Sequence, residues 1–230
     1  MNGLDFLAER RSLKDRSTLL KATRLTDSSP SHSPESAPNL APTQAKYSDP
    51  SPLVQFANQR FLRATSEMIG RVNAKTTLDA GCGEGVILSR LQRPTSFGMD
   101  LDIERVLEAR SMVGGGNLAA GDVHRLPFPN DSVDLVLMME VFEHLGDPQA
   151  ALADVARVSR RYLLASVPNE PWWRIGNMLR LKYIKDFGNT PEHLNHWTSR
   201  AFRRFISKSF NVLEIRRPFL WTFILAEKLS

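Results

Sequence analysis

The chain has 230 residues, of which 42% are apolar and 24% are charged, a composition that supplies a packed core and excludes a fully disordered or fibrous protein. No uncharged apolar run approaches the roughly 20 residues of a membrane-spanning helix, and charges interrupt the apolar N-terminal stretch, so the sequence predicts neither a span nor a secretory signal. A single cysteine, Cys82, excludes an internal disulfide and a multi-cysteine zinc site. Together these features predict a soluble, cytoplasmic protein.

The first 52 residues differ in composition from the rest of the chain. In residues 26–52, 13 of 27 positions are serine or proline. Such a segment has too little apolar surface to offset the entropy lost on ordering. We therefore expect residues 1–52 to be a disordered Ser/Pro-rich tail, within which 4–25 could form a short charged helix. Residues 53–230 are expected to form the folded domain.

From residue 53 onward, helical and strand-like patterns alternate. Helical spacing of apolar residues predicts a first helix over 53–72. Strands are predicted at 76–80, 95–100, 117–122, 133–139, 161–167, 210–215 and 220–228, and further helices at 84–92, 102–112 and 148–159. This alternation is typical of an α/β fold with a doubly wound, mostly parallel sheet of Rossmann-like type, here with seven strands. The final two strands are too close in sequence for a crossover, which predicts an antiparallel last strand.

The most informative stretch is LDAGCGEG at residues 78–85. Its glycines, Gly81, Gly83 and Gly85, leave a predicted buried strand and enter a predicted helix. Glycine is needed where the backbone takes a positive φ or approaches a ligand closely, and amides at a helix start suit a carboxylate or phosphate. Asp100 ends the second predicted strand. A carboxylate there lies across the crevice and can accept both hydroxyl protons of a ribose.

The spacing G-x-G-x-G, preceded by Asp79, differs from the G-x-G-x-x-G of dinucleotide-binding proteins. It resembles the first motif of the class I S-adenosylmethionine-dependent methyltransferases. Further resemblance to that family lies in GDV at 121–123, LPFP at 126–129 and SVDLV at 132–136. Within the family, EVFEHL at 140–145 resembles the type 11 group, which contains the quinone-biosynthesis methyltransferases. The resemblance covers residues 76–170 and implies S-adenosyl-L-methionine as cofactor.

The resemblance also implies how that cofactor is held. The glycine loop would contact its methionine moiety, Asp100 its ribose, and Asp122 with the backbone of Val123 its adenine. The expected cofactor-binding residues are Asp79, Gly81, Cys82, Gly83, Gly85, Asp100, Leu101, Asp122, Val123 and Met139. We expect Cys82 to be a small space-filling residue and not a nucleophile.

The residues after the fourth predicted strand are the candidates for catalysis. An imidazole can remove a proton from a phenol or enol near neutral pH, so His144, with Glu143, is predicted to be catalytic. The alternative is that His144 only begins a turn and bonds to backbone. In quinone-pathway O-methyltransferases the residues corresponding to Glu140, Glu143 and His144 are associated with a divalent metal. The same string is common in methyltransferases without a known metal, and we expect no metal here.

Residues 168–209 are long for a connection between two strands. Inserts at this position in class I methyltransferases usually cover the acceptor pocket. This one combines aromatic and basic side chains, namely Trp172, Trp173, Tyr183, Phe187, Trp197, Arg174, Arg180, Lys182 and Lys185. Such a mixture suits an amphipathic or anionic acceptor, or peripheral membrane contact through residues 171–185. His193 and His196 lie in a loop-like sequence, which argues against a zinc pair but leaves a histidine contact to the acceptor open.

The leading hypothesis is methyl transfer from S-adenosylmethionine to a small-molecule or lipid-linked acceptor at oxygen. No Asn/Asp-Pro-Pro-aromatic string, which marks many amino methylases, follows the fourth strand. Residues 171–217 carry ten Lys/Arg against three Asp/Glu, so a nucleic-acid methyltransferase is one alternative. A non-catalytic S-adenosylmethionine-binding protein is another. Because no RNA-binding module is recognisable, we expect no stable nucleic-acid partner, and the oligomeric state is left open.

Overall fold

A computed structural model of the chain describes residues 50–91, 95–170, 172–179, 190 and 192–229. The predicted tail lies outside the described residues apart from positions 50–52, as does the predicted helix at 4–25. The part of the insert at 180–189, which includes five of its predicted acceptor-contacting residues, also lies outside them. No helix in the described ranges is long and apolar enough to cross a membrane.

The described residues form one seven-stranded sheet with α-helices on both faces. The strands are β1 (Thr76–Ala80), β2 (Thr95–Asp100), β3 (Asn117–Ala120), β4 (Val133–Met139), β5 (Ser159–Pro168), β6 (Phe210–Arg216) and β7 (Trp221–Lys228). The helices are α1 (Pro52–Ile69), α2 (Ile103–Met112), α3 (Pro148–Val158), α4 (Trp172–Leu179) and α5 (Ser199–Ile206). The strand order is β3-β2-β1-β4-β5-β7-β6.

Strand direction in the sheet confirms the predicted topology. The pairs β1–β2, β2–β3, β1–β4 and β4–β5 are parallel, whereas β7 is antiparallel to both β5 and β6. The order of addition reverses between β1 and β4, and the carboxyl ends of strands at such a switch point are where open α/β sheets bind ligands. The fold therefore directs attention to the carboxyl edge of β1, β2 and β4.

Two apolar layers hold the helices to the sheet. On one face α3 packs on β5 and α5 packs on β6 and β7, with Leu152 and Phe202 fully buried. On the other face α1 packs on β7, where the ring of Phe61 lies 5.1 Å from that of Trp221 and 5.0 Å from that of Phe223. A local signal starts α3, because Asp147 accepts a hydrogen bond from the Ala150 amide at its first turn.

One predicted element is wrong. The sequence predicts a helix over 84–92, but the described part of that segment, 84–91, forms turns and a single 3₁₀ turn at Leu88–Arg90. Gly83 and Gly85 have positive φ angles of 51° and 81°, so no helix can begin before residue 86. A helix that began after Gly85 would be too short for its hydrogen bonds to offset the unfavourable free energy of nucleation. The other predicted helices and strands from residue 53 onward are confirmed, with ends shifted by at most three residues.

Candidate functional site

The glycine loop connects the end of β1 to the 3₁₀ turn. The amides of Gly81 and Cys82 both donate to the Met99 carbonyl of β2, at 2.7 and 2.9 Å. Gly81 has a φ of 87°, and a Cβ there would lie 2.4 Å from Cγ2 of Val141. A Cβ on Gly85 would lie 3.0 Å from the Cβ of Ala109. These two glycines are therefore required by left-handed backbone and by neighbouring side chains, whether or not a ligand is near.

Asp100, at the end of β2, is bonded to this loop. Its Oδ2 accepts from the Gly83 amide at 2.8 Å and its Oδ1 from the Asp102 amide at 3.0 Å. A carboxylate has about four acceptor positions, so each oxygen can accept one further hydrogen bond. The spacing read from the sequence thus places Asp100 against the loop as expected, and leaves acceptor capacity for two hydroxyl groups.

Asp79 is the least satisfied polar group beside the loop. It lies in β1, only 1% exposed, and neither of its carboxylate oxygens has a hydrogen-bond partner within the described ranges. Burial, with a smaller contribution from the negative charge of Asp100, raises the pKa of Asp79 to about 7. A buried acid without donors is costly unless a bound group supplies them. A ligand carrying a positive ammonium group would fit this position.

The remaining expected cofactor residues lie at the carboxyl ends of β2, β3 and β4. Asp122 follows β3, and its Oδ1 accepts from the amide and from Nδ1 of His124, at 2.9 and 2.6 Å. These bonds, the backbone one first, lower the pKa of Asp122. Val123 and Met139 are buried, whereas Leu101 is 76% exposed. An exposed leucine beside the crevice is available to a flat apolar ligand surface.

The glycine loop carries two further buried side chains, of which the sequence analysis considered Cys82 and missed Glu84. Cys82 is buried, and burial raises the pKa of its thiol well above the usual range, which fits a space-filling residue and not a nucleophile. Glu84 is a second acid of the loop, 1% exposed. Sequence reasoning missed it, although an acid between two glycines of a ligand loop is itself a signal.

Residues 192–195 of the insert lie against the end of β4 and are held there by hydrogen bonds to backbone carbonyls. The Glu143 carbonyl accepts from the amides of Leu194 and Asn195, at 2.8 and 3.0 Å. The Asn195 side-chain amide donates to the Leu145 carbonyl at 2.7 Å. His144 ends a 3₁₀ turn, and its Nδ1 lies 3.0 Å from the Glu192 carbonyl. Because a carbonyl only accepts, Nδ1 carries the proton and Nε2 is left as the basic nitrogen.

His193 of the insert packs on His144, with ring centroids 5.1 Å apart. One ligand atom each from Glu143, His144 and His193 lies within 4.8 Å of the others. The sequence analysis considered His193 together with His196. The structure instead places His193 beside the predicted catalytic residues Glu143 and His144. A carboxylate and two imidazoles can relay protons, and the same donor types can bind a divalent cation. This grouping was missed because 48 residues separate His144 from Glu192, beside His193.

Further aromatic and acidic residues lie near this grouping, where Trp173 is 5.9 Å from His193 between ring centroids. Glu140, directly after β4, has a φ of 58°, and its carboxylate accepts from the indole nitrogen of Trp221. Trp173 of α4 packs on Trp221 at 5.6 Å. Glu170, 8% exposed after β5, lies 3.6 Å from Nδ1 of His196. Burial raises the pKa of Glu170. Neither the strained Glu140 nor the Glu170–His196 pair was foreseen from the sequence.

Comparisons with known proteins agree with this geometry. Residues 78–162 match the family profile described as "Methyltransferase domain". The relative "Probable S-adenosylmethionine-dependent methyltransferase Rv3030" of Mycobacterium tuberculosis is 34% identical over 104 residues, 43% of this chain and 38% of the relative. The "Fatty-acid O-methyltransferase" of Mycolicibacterium smegmatis is 34% identical over 95 residues, 39% of this chain and 35% of the relative. The chain thus spans well under half the length of either relative.

Among solved structures, the fold is similar to that of magnesium protoporphyrin IX methyltransferase from Synechocystis with bound SAH. The TM-score is 0.62 at 16% identity, with 81% of this chain and 92% of that chain covered. At this identity the likeness shows the fold alone. The match to residues 78–162, the methyltransferase relatives and the sheet order agree. Residues 78–162 therefore form a methyltransferase domain of the class I S-adenosylmethionine-dependent type.

Proposed function

We propose that this protein transfers a methyl group from S-adenosylmethionine to a small-molecule or lipid-linked acceptor, at an oxygen atom. The observation that carries the proposal is the buried carboxyl of Asp79, which lacks a donor beside a loop fixed against Asp100. The ammonium group of the cofactor's methionine moiety would supply that donor. When bound, S-adenosylmethionine supplies an electrophilic methyl group on a sulfonium.

The protein's part in the reaction is to bind, orient and deprotonate. Asp100 would accept the ribose hydroxyls with its remaining lone pairs, and Asp122 with Val123 would contact the adenine. Gly81, Gly83, Gly85 and Cys82 would contact the methionine end, with Leu101 and Met139 beside the nucleoside. Fixing donor and acceptor in line supplies much of the acceleration of a displacement reaction.

Proton removal from the acceptor is assigned to His144. Its Nδ1 is engaged by the Glu192 carbonyl, so Nε2 can take a proton from an acceptor hydroxyl. The buried carboxylate of Glu143 lies within 4.8 Å of the ligand atoms of His144 and His193, where it would stabilise the imidazolium that forms. Replacing His144 by Gln should lower the rate constant with little change in cofactor affinity. An equal loss in both would instead favour a purely structural role.

The acceptor class is supported by the character of the insert. Trp172, Ile175 and Met178 lie three residues apart on α4 and are 57%, 42% and 42% exposed. That apolar stripe supports an apolar acceptor and peripheral membrane contact through 171–185. The assignment to oxygen is supported by a relative named as a fatty-acid O-methyltransferase. The further likeness to quinone-biosynthesis enzymes stays a prediction.

The test has two stages. Isothermal titration with S-adenosylhomocysteine measures cofactor competence, and absence of binding would refute the proposal. Fractionated extracts are then incubated with radiolabelled S-adenosylmethionine, and the methylated product is identified by mass. A labelled lipid or small molecule supports the proposal. Label in nucleic acid alone would favour that alternative, and cofactor binding without any methylated product would favour a non-catalytic protein.

A further inference from the structure

A groove runs between α1 and the hairpin that joins β6 to β7. It encloses about 350 Å³, within the range of small-molecule sites. This groove, here called the rim groove, is lined by Arg60, Arg63, Ala64, Glu67, Arg216, Arg217 and Pro218. Trp221, at the start of β7, pairs with Pro168 at the end of β5. The hairpin, and with it the rim groove, therefore lies at the same edge of the sheet as the cofactor crevice.

The rim groove holds more positive charge than its own acids neutralise. Glu67 accepts from Arg63 and Arg216, at 2.7 and 2.6 Å. Arg60 and Arg217 form no ion pair with any residue in the described ranges, and both are exposed. Two guanidinium groups thus remain for an external anion, for which their planar donor arrangement is well suited.

Arg217 is also held in position. Its Nε donates to Oγ of Ser199 at 3.0 Å, and that hydroxyl in turn bonds to Thr222 and lies 3.2 Å from Oδ1 of Asn169. The amide of Asn169 donates to the Leu220 carbonyl at 2.8 Å. The end of β5, the start of α5 and the hairpin are therefore joined, and the guanidinium loses little freedom when it binds a ligand.

Apolar surface borders the charge. Phe56 and Phe219 are 46% and 45% exposed, and their rings meet edge to face at 5.9 Å. The guanidinium carbon of Arg60 lies 5.3 Å from the Phe56 ring centroid. Phe219 has a φ of 60°, a left-handed conformation that is unfavourable in a residue with a side chain. Strain of this kind at the mouth of a site is typical of functional positions.

We propose that the rim groove binds the anionic head of an amphiphilic molecule while Phe56 and Phe219 contact its apolar chain. The charge of Arg60 and Arg217 selects a carboxylate or a phosphate ester, and the aromatic pair selects an apolar tail over a free inorganic anion. The inference goes beyond the proposed function, because the rim groove is a second binding site, lined by none of the predicted catalytic or cofactor-binding residues. Trp221, two residues from Phe219, bonds to Glu140 beside the predicted catalytic residues and so connects the rim groove to them.

The experiment is isothermal titration of the S-adenosylhomocysteine-loaded protein with dodecanoate, dodecyl phosphate, methyl dodecanoate and inorganic phosphate. We expect the two anionic amphiphiles to bind at least tenfold more tightly than either the neutral ester or phosphate. The stronger of the two identifies the head group. The double variant Arg60→Gln/Arg217→Gln should lose at least tenfold in affinity for both. Phe219→Asn should also lose affinity, while asparagine tolerates the positive φ and preserves the fold.

The matched controls are Arg110→Gln and Leu107→Ser on α2. They remove an exposed charge and an exposed apolar side chain elsewhere, and should leave the affinity for both anionic amphiphiles unchanged. Equal dodecanoate affinity in the double variant and the parent would overturn the inference, as would equal affinity for the neutral ester. Oligonucleotide binding that depends on Arg60 and Arg217, without amphiphile binding, would overturn it in favour of nucleic acid. Failure to bind S-adenosylhomocysteine would instead refute the proposed function, so the two failures are distinguishable.

Discussion

The predicted cofactor side and the predicted acceptor side of the crevice are built in different ways. On the cofactor side, the Gly83 amide donates a hydrogen bond to Asp100, which lies only 17 residues further along the chain. The groups through which the loop is fixed are its backbone amides. On the acceptor side, Glu140 meets Trp221 across 81 residues and His144 meets Glu192 across 48. The first arrangement is a motif that can be read along the chain. The second exists only once β7 and the insert have packed, and it is free to differ between proteins that share the first.

The largest expected effect is on the cofactor side. Gly81→Val should destabilise the fold by about 3 kcal/mol or more, because its Cβ would lie 2.4 Å from Val141 and its φ is 87°. The loss of stability is measured by thermal unfolding of the variant and the parent. Gly146→Ala is the matched control, since nothing lies within 4 Å of a Cβ there. A Gly81→Val protein with the parent's melting temperature would show that the loop is not rigid.

Asp79→Asn should separate stability from binding. At pH 8 the substitution removes a buried charge without donors, so we expect the free protein to gain about 2 kcal/mol of unfolding free energy. Its affinity for S-adenosylhomocysteine should fall at least tenfold, because the ammonium group loses its counter-charge. Denaturant unfolding and titration calorimetry measure the two quantities. Unchanged affinity would remove Asp79 from the cofactor site.

The pH dependence of the same group has a definite sign. The folded pKa of about 7 lies above the reference value of 3.8, so the folded protein holds an extra proton between these pH values. The contribution of Asp79 to stability is therefore full below about pH 4 and is lost as the pH rises through about 7. An ammonium ligand favours the ionised acid, so cofactor affinity should rise toward about pH 7 and then level off. The slope should vanish in Asp79→Asn.

An effect on cofactor affinity of similar size is expected at Asp100. Asp100→Ala should weaken S-adenosylhomocysteine binding by about 1–3 kcal/mol through lost hydrogen bonds to the ribose. Glu108→Ala, which removes an exposed acid on α2, is the control. If titration shows the same affinity in Asp100→Ala as in the parent, the ribose assignment is wrong.

The smallest effect concerns magnesium at the acceptor side. We expect added magnesium or EDTA to leave the melting temperature and cofactor affinity unchanged, because Mg²⁺ prefers oxygen ligands and two of the three donors here are imidazoles. Stabilisation by Zn²⁺ that disappears in His193→Ala would contradict the expectation of a metal-free site. It would also show that the two halves of the crevice use different kinds of cofactor.

The same contrast explains which parts of the fold and of the candidate site can be predicted from the sequence. Apolar periodicity locates the strands and most helices, and glycine with aspartate spacing locates the loop and Asp100. The helix predicted at 84–92 fails because Gly85, inside that segment, adopts a left-handed backbone, which apolar periodicity alone does not reveal. The meeting of His193 with His144, and the strained conformations of Glu140 and Phe219, depend on tertiary packing. No local pattern encodes such contacts.

The position of β7 has a consequence for the order in which the molecule assembles. β6 precedes β7 along the chain but lies outside it in the sheet, with β7 as its only strand neighbour among the described residues. During synthesis, β6 and the apolar face of α5 must therefore wait until β7 has emerged and inserted beside β5. A ribosome-bound intermediate that ends before Trp221 would expose these surfaces, and we expect it to be the form that chaperones recognise.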